Sequence, residues 1–575
     1  MTRFLLPHDS WDSDLLLRVH LNSLPPPSHP IDRVASLARL QKLKQDLETS
    51  EVAALSPAQN NDSNSKEITI LKFKIKVLSW ALFPIDRLPL EIVRFIFQLV
   101  IRDVPLYATY NRYRLVLTWV CRPWRRVALN ASNFWSSIWV GDDDPYTCSL
   151  EFLRRAGSAP LDIRIGDKER QAFEIEDAEP MSLNELKPIM DALVKKLPTI
   201  RSFLGVFIQW DVALDVIHKF NESKLEASSL EGFTMHHLGH TYVFSTFAPL
   251  PPEILNSIKL FNGHAPKLAC LGINGLVVDW TPEILANLTS LDLRRIPRRV
   301  AQGTADIRRI LQECHHLYRL ALCYLVPYHD EMPSSGPPLQ IPTLRELTLD
   351  DLSPNYIMCL LSQIEAPNVM YLEVRRLTSM AHDIRPTFSG LAGRFPKTKM
   401  LVLNDIVTDN SHDMEPCMTK FYESMPHLEI LRISLITDAA IRPLYAGPTT
   451  VTVQQGPPPA QVNELLEGAL GPTILCPRLR LLHFGWVDIQ VVKDLVRGRH
   501  QRGHPFHNAY AFLSTADYPT PDDLREIEEV VDDLYKDYWL CMPEEWALYE
   551  EMSHHLDSSS RLMLYTNTPG FSPRR

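Results

Sequence analysis

Leu344-Arg-Glu-Leu-Thr-Leu-Asp350 and Val369-Met-Tyr-Leu-Glu-Val-Arg375 are two copies of one pattern, Leu-x-x-Leu-x-Leu, with valine at two leucine positions in the second copy. Toward the N-terminus the pattern recurs as Leu317/Leu320/Leu322, Leu288/Leu291/Leu293 and Leu268/Leu271/Ile273. Toward the C-terminus it recurs as Leu428/Leu431/Ile433 and Leu479/Leu482/Phe484, with a weaker copy at Thr398, Leu401 and Leu403. Most copies stand about 20 to 30 residues apart, a period of arrays in which each unit buries its apolar face only by stacking on the next. The last step is nearly two units long and holds the proline-rich insert Gly456-Pro-Pro-Pro459. Fainter copies begin at Ile200/Phe203 and Leu230/Phe233, and helical stretches such as Ile307–Leu311 and Asn463–Glu467 lie between copies. The reading is a mixed α/β chain whose residues 197–500 form a solenoid of short parallel strands backed by helices, irregular before residue 265.

Alternation along a strand sends Leu291 and Leu293 to one face and their neighbours to the other. The second face then carries Asp292, Arg294, Arg319, Glu346, Thr348, Asp350, Tyr371, Glu373, Arg375, Val402, Asn404, Arg432 and His483. Both signs of charge are present, which suits a protein partner with matched patches. Arg294, Tyr371, Glu373, Arg375 and Arg432 are the candidate target-binding residues, with Tyr371 expected as an exposed aromatic anchor. Arg294/Arg295 and Arg375/Arg376 fall at equivalent places in two units, where arginines grip an acidic or phosphorylated group or stand solvated beside acidic neighbours.

The chain has 575 residues and a net charge of −10, which gives no electrostatic case for nucleic acid. Nine scattered cysteines without a C-x-x-C pair read as buried thiols in a reducing compartment. No apolar run reaches membrane-spanning length and the start is too short for a signal core. The expected location is the cytoplasm or nucleus. Residues 1–30, which carry Pro25, Pro26, Pro27 and Pro30, are expected to be disordered, and 31–83 to be a helical, coiled-coil-like lead-in. Leu71, Ile75, Leu78 and Leu82 have helical spacing, although Phe73, Ile75 and Val77 also alternate as in a strand; helix is preferred because a longer helical motif follows.

That motif runs from Pro84 through Arg87-Leu-Pro-Leu-Glu-Ile-Val-Arg-Phe-Ile-Phe97, with Ile92, Phe95, Ile96 and Leu99 as its apolar stripe and Glu91 placed to suit the helix dipole. Val120-Cys-Arg-Pro-Trp-Arg-Arg-Val-Ala-Leu129 and Asn133-Phe-Trp-Ser-Ser-Ile-Trp-Val140 follow. Three short helices make a core too small to be very stable alone. In order and spacing the three segments resemble the F-box of fungal F-box proteins, over residues 84–140. The resemblance implies that Leu88, Pro89, Glu91, Ile92, Ile96, Val120, Cys121 and Trp124 help form the face that docks the Skp-type adaptor of a cullin ubiquitin ligase. Phe134 and the tyrosine-rich loop Tyr107–Tyr113 depart from the usual pattern.

No phosphate-binding or dinucleotide glycine loop and no nucleophile elbow appears. His236-His-Leu-Gly-His240 lacks the glutamate of a zinc-protease motif and is read as loop histidines. Cys121 beside Arg122 could be an activated thiol but is read as a buried packing residue. No cofactor, metal or catalytic residue is expected. Residues 141–196 are a linker with the first strand and helix elements. Residues 501–557 are an acidic helical cap, since 12 acidic and two basic residues lie between Pro521 and Glu551 and Leu524, Ile527, Val531, Leu534 and Tyr538 keep helical spacing. Residues 558–575 are a disordered tail. The functional expectation is a non-catalytic substrate receptor of an SCF-type ligase; the alternative is a ligase-independent leucine-rich-repeat scaffold.

Overall fold

Leu271, Leu291, Leu320, Leu347, Leu372, Leu401, Leu431 and Leu482 stand in one row across the protein, each the register partner of the next. All are buried. The computed structural model describes residues 33–54, 88–102, 114–142, 144–166, 181–237, 256–296, 303–325, 336–378, 383–407, 414–446, 474–512 and 519–536, with scattered positions between 68 and 78. The chain divides into two bodies, 1–139 with 151–159, and 140–150 with 160–575.

The strands are β1 (Ser137–Val140), β2 (Leu161–Gly166), β3 (Ile200–Phe207), β4 (Gly232–His237), β5 (Cys270–Asn274), β6 (Ser290–Arg294), β7 (Arg319–Cys323) and β8 (Leu339–Gln340). They continue as β9 (Glu346–Asp350), β10 (Ile364–Glu365), β11 (Tyr371–Thr378), β12 (Met400–Val407), β13 (Ile430–Ile436), β14 (Leu481–Gly485), β15 (Asn508–Phe512) and β16 (Asp533–Lys536). One fourteen-stranded sheet takes them in chain order, leaving out β8 and β10, which pair with each other. Every pairing from β2 to β16 is parallel. This is the open, leucine-rich-repeat-like array that the leucine period predicts. Helices such as Thr304–Glu313, Pro354–Gln363, Arg385–Leu391 and Met414–Glu423 return the chain between strands and pack on one another in sequence. Their starts are local: Ser353 accepts from the Tyr356 N–H at 3.2 Å and Pro354 opens the helix, where its missing N–H costs nothing.

A backbone device repeats with the strands. The residue after the fifth position of eight successive main-sheet strands is left-handed: Gly275, Arg295, Tyr324, Asp351, Arg376, Asp405, Leu435 and Trp486. The N–H groups of Gly275, Arg295, Tyr324 and Asp351 then reach the fifth-residue carbonyl of the next strand at 2.8–3.0 Å, so pairing extends through the bend. Arg499, fully buried, donates to the carbonyls of Leu444, Leu475, Cys476 and Leu479 at 3.0–3.3 Å, tying together the chain on both sides of the proline-rich insert.

Two expectations are corrected. The acidic C-terminal segment is not one helix: Pro521–Glu528 is helical, but Asp533–Lys536 is β16, paired with β15. Leu534 follows both a helical and a strand spacing, and the free edge of β15 decides between them. The array therefore continues past residue 500, and it includes β2, ahead of residue 197. Residues 1–30, the loop 107–113, the insert 456–459, Asn463–Glu467, Tyr538 and the tail 558–575 lie outside the described residues.

Candidate functional site

In the first body the helix Leu90–Arg102 has two apolar faces. Val93, Phe97 and Ile101 point into the core, where Phe97 meets Trp124 at 5.0 Å and Phe134 at 5.9 Å between ring centres. Ile92, Phe95 and Leu99, one face at i, i+3, i+7, are 45%, 55% and 47% exposed. The sequence stripe of Ile92, Phe95, Ile96 and Leu99 is thus the outer one; Ile96 is half-buried. Pro89 stands immediately before the helix, its carbonyl accepting from the Ile92 and Val93 N–H groups at 3.0 and 3.1 Å, and Glu91 lies exposed in the first turn. Leu88 is half-buried and Val120 exposed. Trp119 and Leu90 add further exposed apolar surface.

Cys121 and Trp124 have different positions from those expected. Cys121 is half-buried and caps the helix Arg122–Leu129, its sulfur accepting from the Trp124 N–H at 3.5 Å. Its place is set by the Arg122-Pro123 helix start, so it is no core residue. Trp124 turns its ring onto Phe97, and is half-buried. Sequence reasoning missed Arg114, a fully buried guanidinium lying 5.1 Å from the Phe152 ring centre and donating to the Ser137 carbonyl. It carries charge in an apolar block, and the surrounding rings Phe134, Trp135 and Phe152 explain its burial.

In the second body the face opposite the leucine row is a ladder of ion pairs. Arg294 grips Asp292 at 2.6 and 2.7 Å, Arg319 lies 3.7 Å from Glu346 and Arg375 lies 3.4 Å from Glu373. Arg376 pairs with Asp350, which also accepts from the Cys323 thiol at 3.3 Å. Burial pushes the Glu346 carboxyl up to about 6, against the opposing pull of Arg319. Burial and the charge of Arg432 push His483 down to about 2, so its imidazole is neutral.

Tyr371 is the main correction on this face. It is 8% exposed, sits in an apolar cluster with Met400, Val402, Ile430, Leu481 and Tyr510, and donates to Glu373 at 3.2 Å. Arg294, Glu373, Arg375 and Arg432 are likewise shielded. The cause is parallel pairing, which sets equivalent positions about 4.8 Å apart so that each side chain covers the next. His236 and His237 also differ from expectation: they are buried on β4, with His236 Nδ1 3.3 Å from Asn274 Nδ2, and burial pushes His236 down to about 4. His240 lies outside the described residues. Among the described residues no group of three His, Cys, Asp or Glu is arranged to hold a metal ion, and no helix is long and apolar enough to cross a membrane.

No family model matches the chain, and no curated protein matches its sequence. Among solved structures it is similar to the leucine-rich repeat-containing protein LegL7 from Legionella pneumophila, at 11% identity and a TM-score of 0.30, over 59% of this chain and 92% of that one. It is also similar to a chain of the Rad7 and Elc1 complex in yeast, at 13% identity and a TM-score of 0.32, over 79% of this chain and 96% of that one. The class is fixed by the chain's own geometry: an open parallel-strand array of leucine-rich-repeat type with a separate small helical body.

Proposed function

We propose that this protein is a non-catalytic substrate receptor of a cullin-type ubiquitin ligase, its helical body docking a Skp-type adaptor and its strand array holding the target. The observation that carries the reading is the outer apolar face of Leu90–Arg102: Ile92, Phe95 and Leu99 stay in water although the same helix buries a complete second face. Covering such side chains is worth about 1.5–3 kcal/mol each, and a bundle this small gains stability from a partner. Leu88, Pro89, Glu91, Ile96, Val120, Cys121 and Trp124 flank or support that face in the F-box-like pattern. The ligase supplies the chemistry and the receptor contributes proximity, acting in the cytoplasm or nucleus.

The test uses the full chain with Ile92→Asp and Phe95→Asp together. Both positions are exposed, so the melting temperature should hold within about 2 °C, an effect of order 0.5 kcal/mol. Co-purification of the adaptor and cullin with the wild type, and their loss from the variant, is the expected result. Equal capture by both proteins, or no capture by the wild type, overturns the adaptor role and leaves the strand array as a ligase-independent scaffold.

A further inference from the structure

Leu204 and Val402 stand in one register row on the strand face opposite the leucines, each with a strand on either side. Leu204, between Arg164 and Thr234, is half-buried. Val402, between Glu373 and Arg432, is 1% exposed, and Met400, two residues earlier on β12, is 0% exposed. Tyr371, Ile430, Leu481 and Tyr510 complete a buried apolar strip across β11 to β15. Among the described residues this strip draws its members from strands or from the residue before one, and no helix contributes to it. Parallel neighbours close the flanks of a side chain and leave its end open. Flanking alone leaves Leu204 partly in water, so the complete burial of Met400 and Val402 requires a cover over the strip.

The longest stretches of this body outside the described residues are 447–473 and 537–575. The first is rooted among helices, where Arg499 of the helix Ile489–Gln501 holds the carbonyls of Leu444, Leu475 and Cys476. The second follows Lys536, the last residue of β16, directly beside the strip. Tyr535 on β16 is exposed and stacks on Tyr510 at 4.7 Å between ring centres, so the apolar surface continues to the strand from which residues 537–575 depart. Five strand spacings separate β16 from β11, about 24 Å, which about eight extended residues span. Residues 538–542 read Tyr-Trp-Leu-Cys-Met, and Trp546, Leu548 and Tyr549 follow. An aromatic and aliphatic run of that length gains by leaving water for an apolar surface.

We propose that the apolar strip from β15 to β11 is a docking surface for the chain's own C-terminal segment, residues 537–549, which crosses it from β16 and seals it. The apolar side chains of the segment replace water over Met400, Val402 and Ile430. A target that uses the strand array then displaces this segment, or binds nearer β3, where Leu204 is open to solvent. That consequence rests on the receptor reading; the seal itself does not.

Hydroxyl-radical footprinting of the full chain compares the wild type with Trp539→Asp combined with Leu540→Asp. Oxidation of Met400, read by mass spectrometry, should rise several-fold in the variant, while Met190, fully buried in the helix Leu183–Val194, stays protected. Unchanged protection of Met400 overturns the proposal, because the strand neighbours or another stretch then do the covering. Exposure of Met190 as well marks an unfolded variant, and photo-crosslinking from Trp539→p-benzoylphenylalanine in the otherwise unaltered full chain then decides. Crosslinks within one chain to residues 371–375, 400–404, 430–434 or 481–485 are expected. Crosslinks only to the helices, to the first body or, in a mixture of isotopically light and heavy chains, to a second copy overturn the seal, as does their absence. Ile92→Asp with Phe95→Asp should leave both readouts unchanged, which separates failure of the seal from failure of the receptor reading.

Discussion

Glu346 and Tyr371 occupy register-paired positions on adjacent strands, and both are buried by the ladder around them. The Glu346 carboxyl has a folded pKa of about 6 against 4.5 when free, because burial outweighs the pull of Arg319. Between those values the folded chain keeps a proton that the unfolded chain has released. Stability from the neutral acid is therefore present below pH 4.5 and lost as pH rises through 6, a change of about 2 kcal/mol. Glu346→Gln should raise the melting temperature at pH 7 and remove this component of the slope, read as the variant-minus-wild-type difference between pH 4 and 7; a pH-independent difference defeats the assignment. Tyr371→Ala should cost about 3 kcal/mol in urea unfolding, since it opens a cavity in the apolar cluster and removes a bond to Glu373. A loss under 1 kcal/mol would return Tyr371 to the surface. Alternation in the sequence identifies which face Tyr371 shares with Arg294 and Glu373, and nothing more. Burial there depends on what adjacent strands put beside each residue, and those neighbours are 25 to 29 residues away in the chain.

The helix Leu90–Arg102 was legible as a helix, and its outer stripe was the one the sequence displayed; which stripe packs inward depends on Phe134 and Trp124, which come later in the chain. The segment after Glu528 went the other way: its helical spacing was real, yet an open strand edge captured Asp533–Lys536. Least legible was the left-handed bend that follows eight strands, because only Gly275 among them is the residue type that announces such a backbone. A left-handed residue with a Cβ costs roughly 1–2 kcal/mol, so the remaining seven bends are held by their strand pairing. Leu435 is the position where this can be measured, being exposed at a φ of 49°. Leu435→Gly should stabilise the protein by about 0.5 kcal/mol in urea, the relief of strain exceeding the extra chain entropy of glycine. Destabilisation by more than about 1 kcal/mol would mean that the leucine side chain contributes packing that outweighs its backbone strain.

At the scale of the molecule the parallel array was readable because its period lies in the chain itself: a leucine row spaced by about 20 to 30 residues has to stack. The strand face was readable only in outline, since the burial of Tyr371 and of the ion pairs around it depends on residues that adjacent strands bring from 25 to 29 positions away. Stacking also sets how damage spreads. In a nearest-neighbour array an inner strand is supported on both sides and couples the units flanking it, whereas a last strand has one neighbour. Leu347 on β9 is fully buried between β7 and β11, and Leu534 on β16 is half-buried beside β15, its one strand neighbour among the described residues. Leu347→Ala should therefore cost about 2–5 kcal/mol and speed amide exchange in strands on both sides of β9. Leu534→Ala should cost roughly half as much, in line with the smaller area it buries, and confine faster exchange to β15, β16 and the helix Pro521–Glu528. Hydrogen exchange with mass-spectrometric readout distinguishes the two patterns. Identical protein-wide acceleration by both variants would mean that the array unfolds as one cooperative block rather than as coupled neighbours.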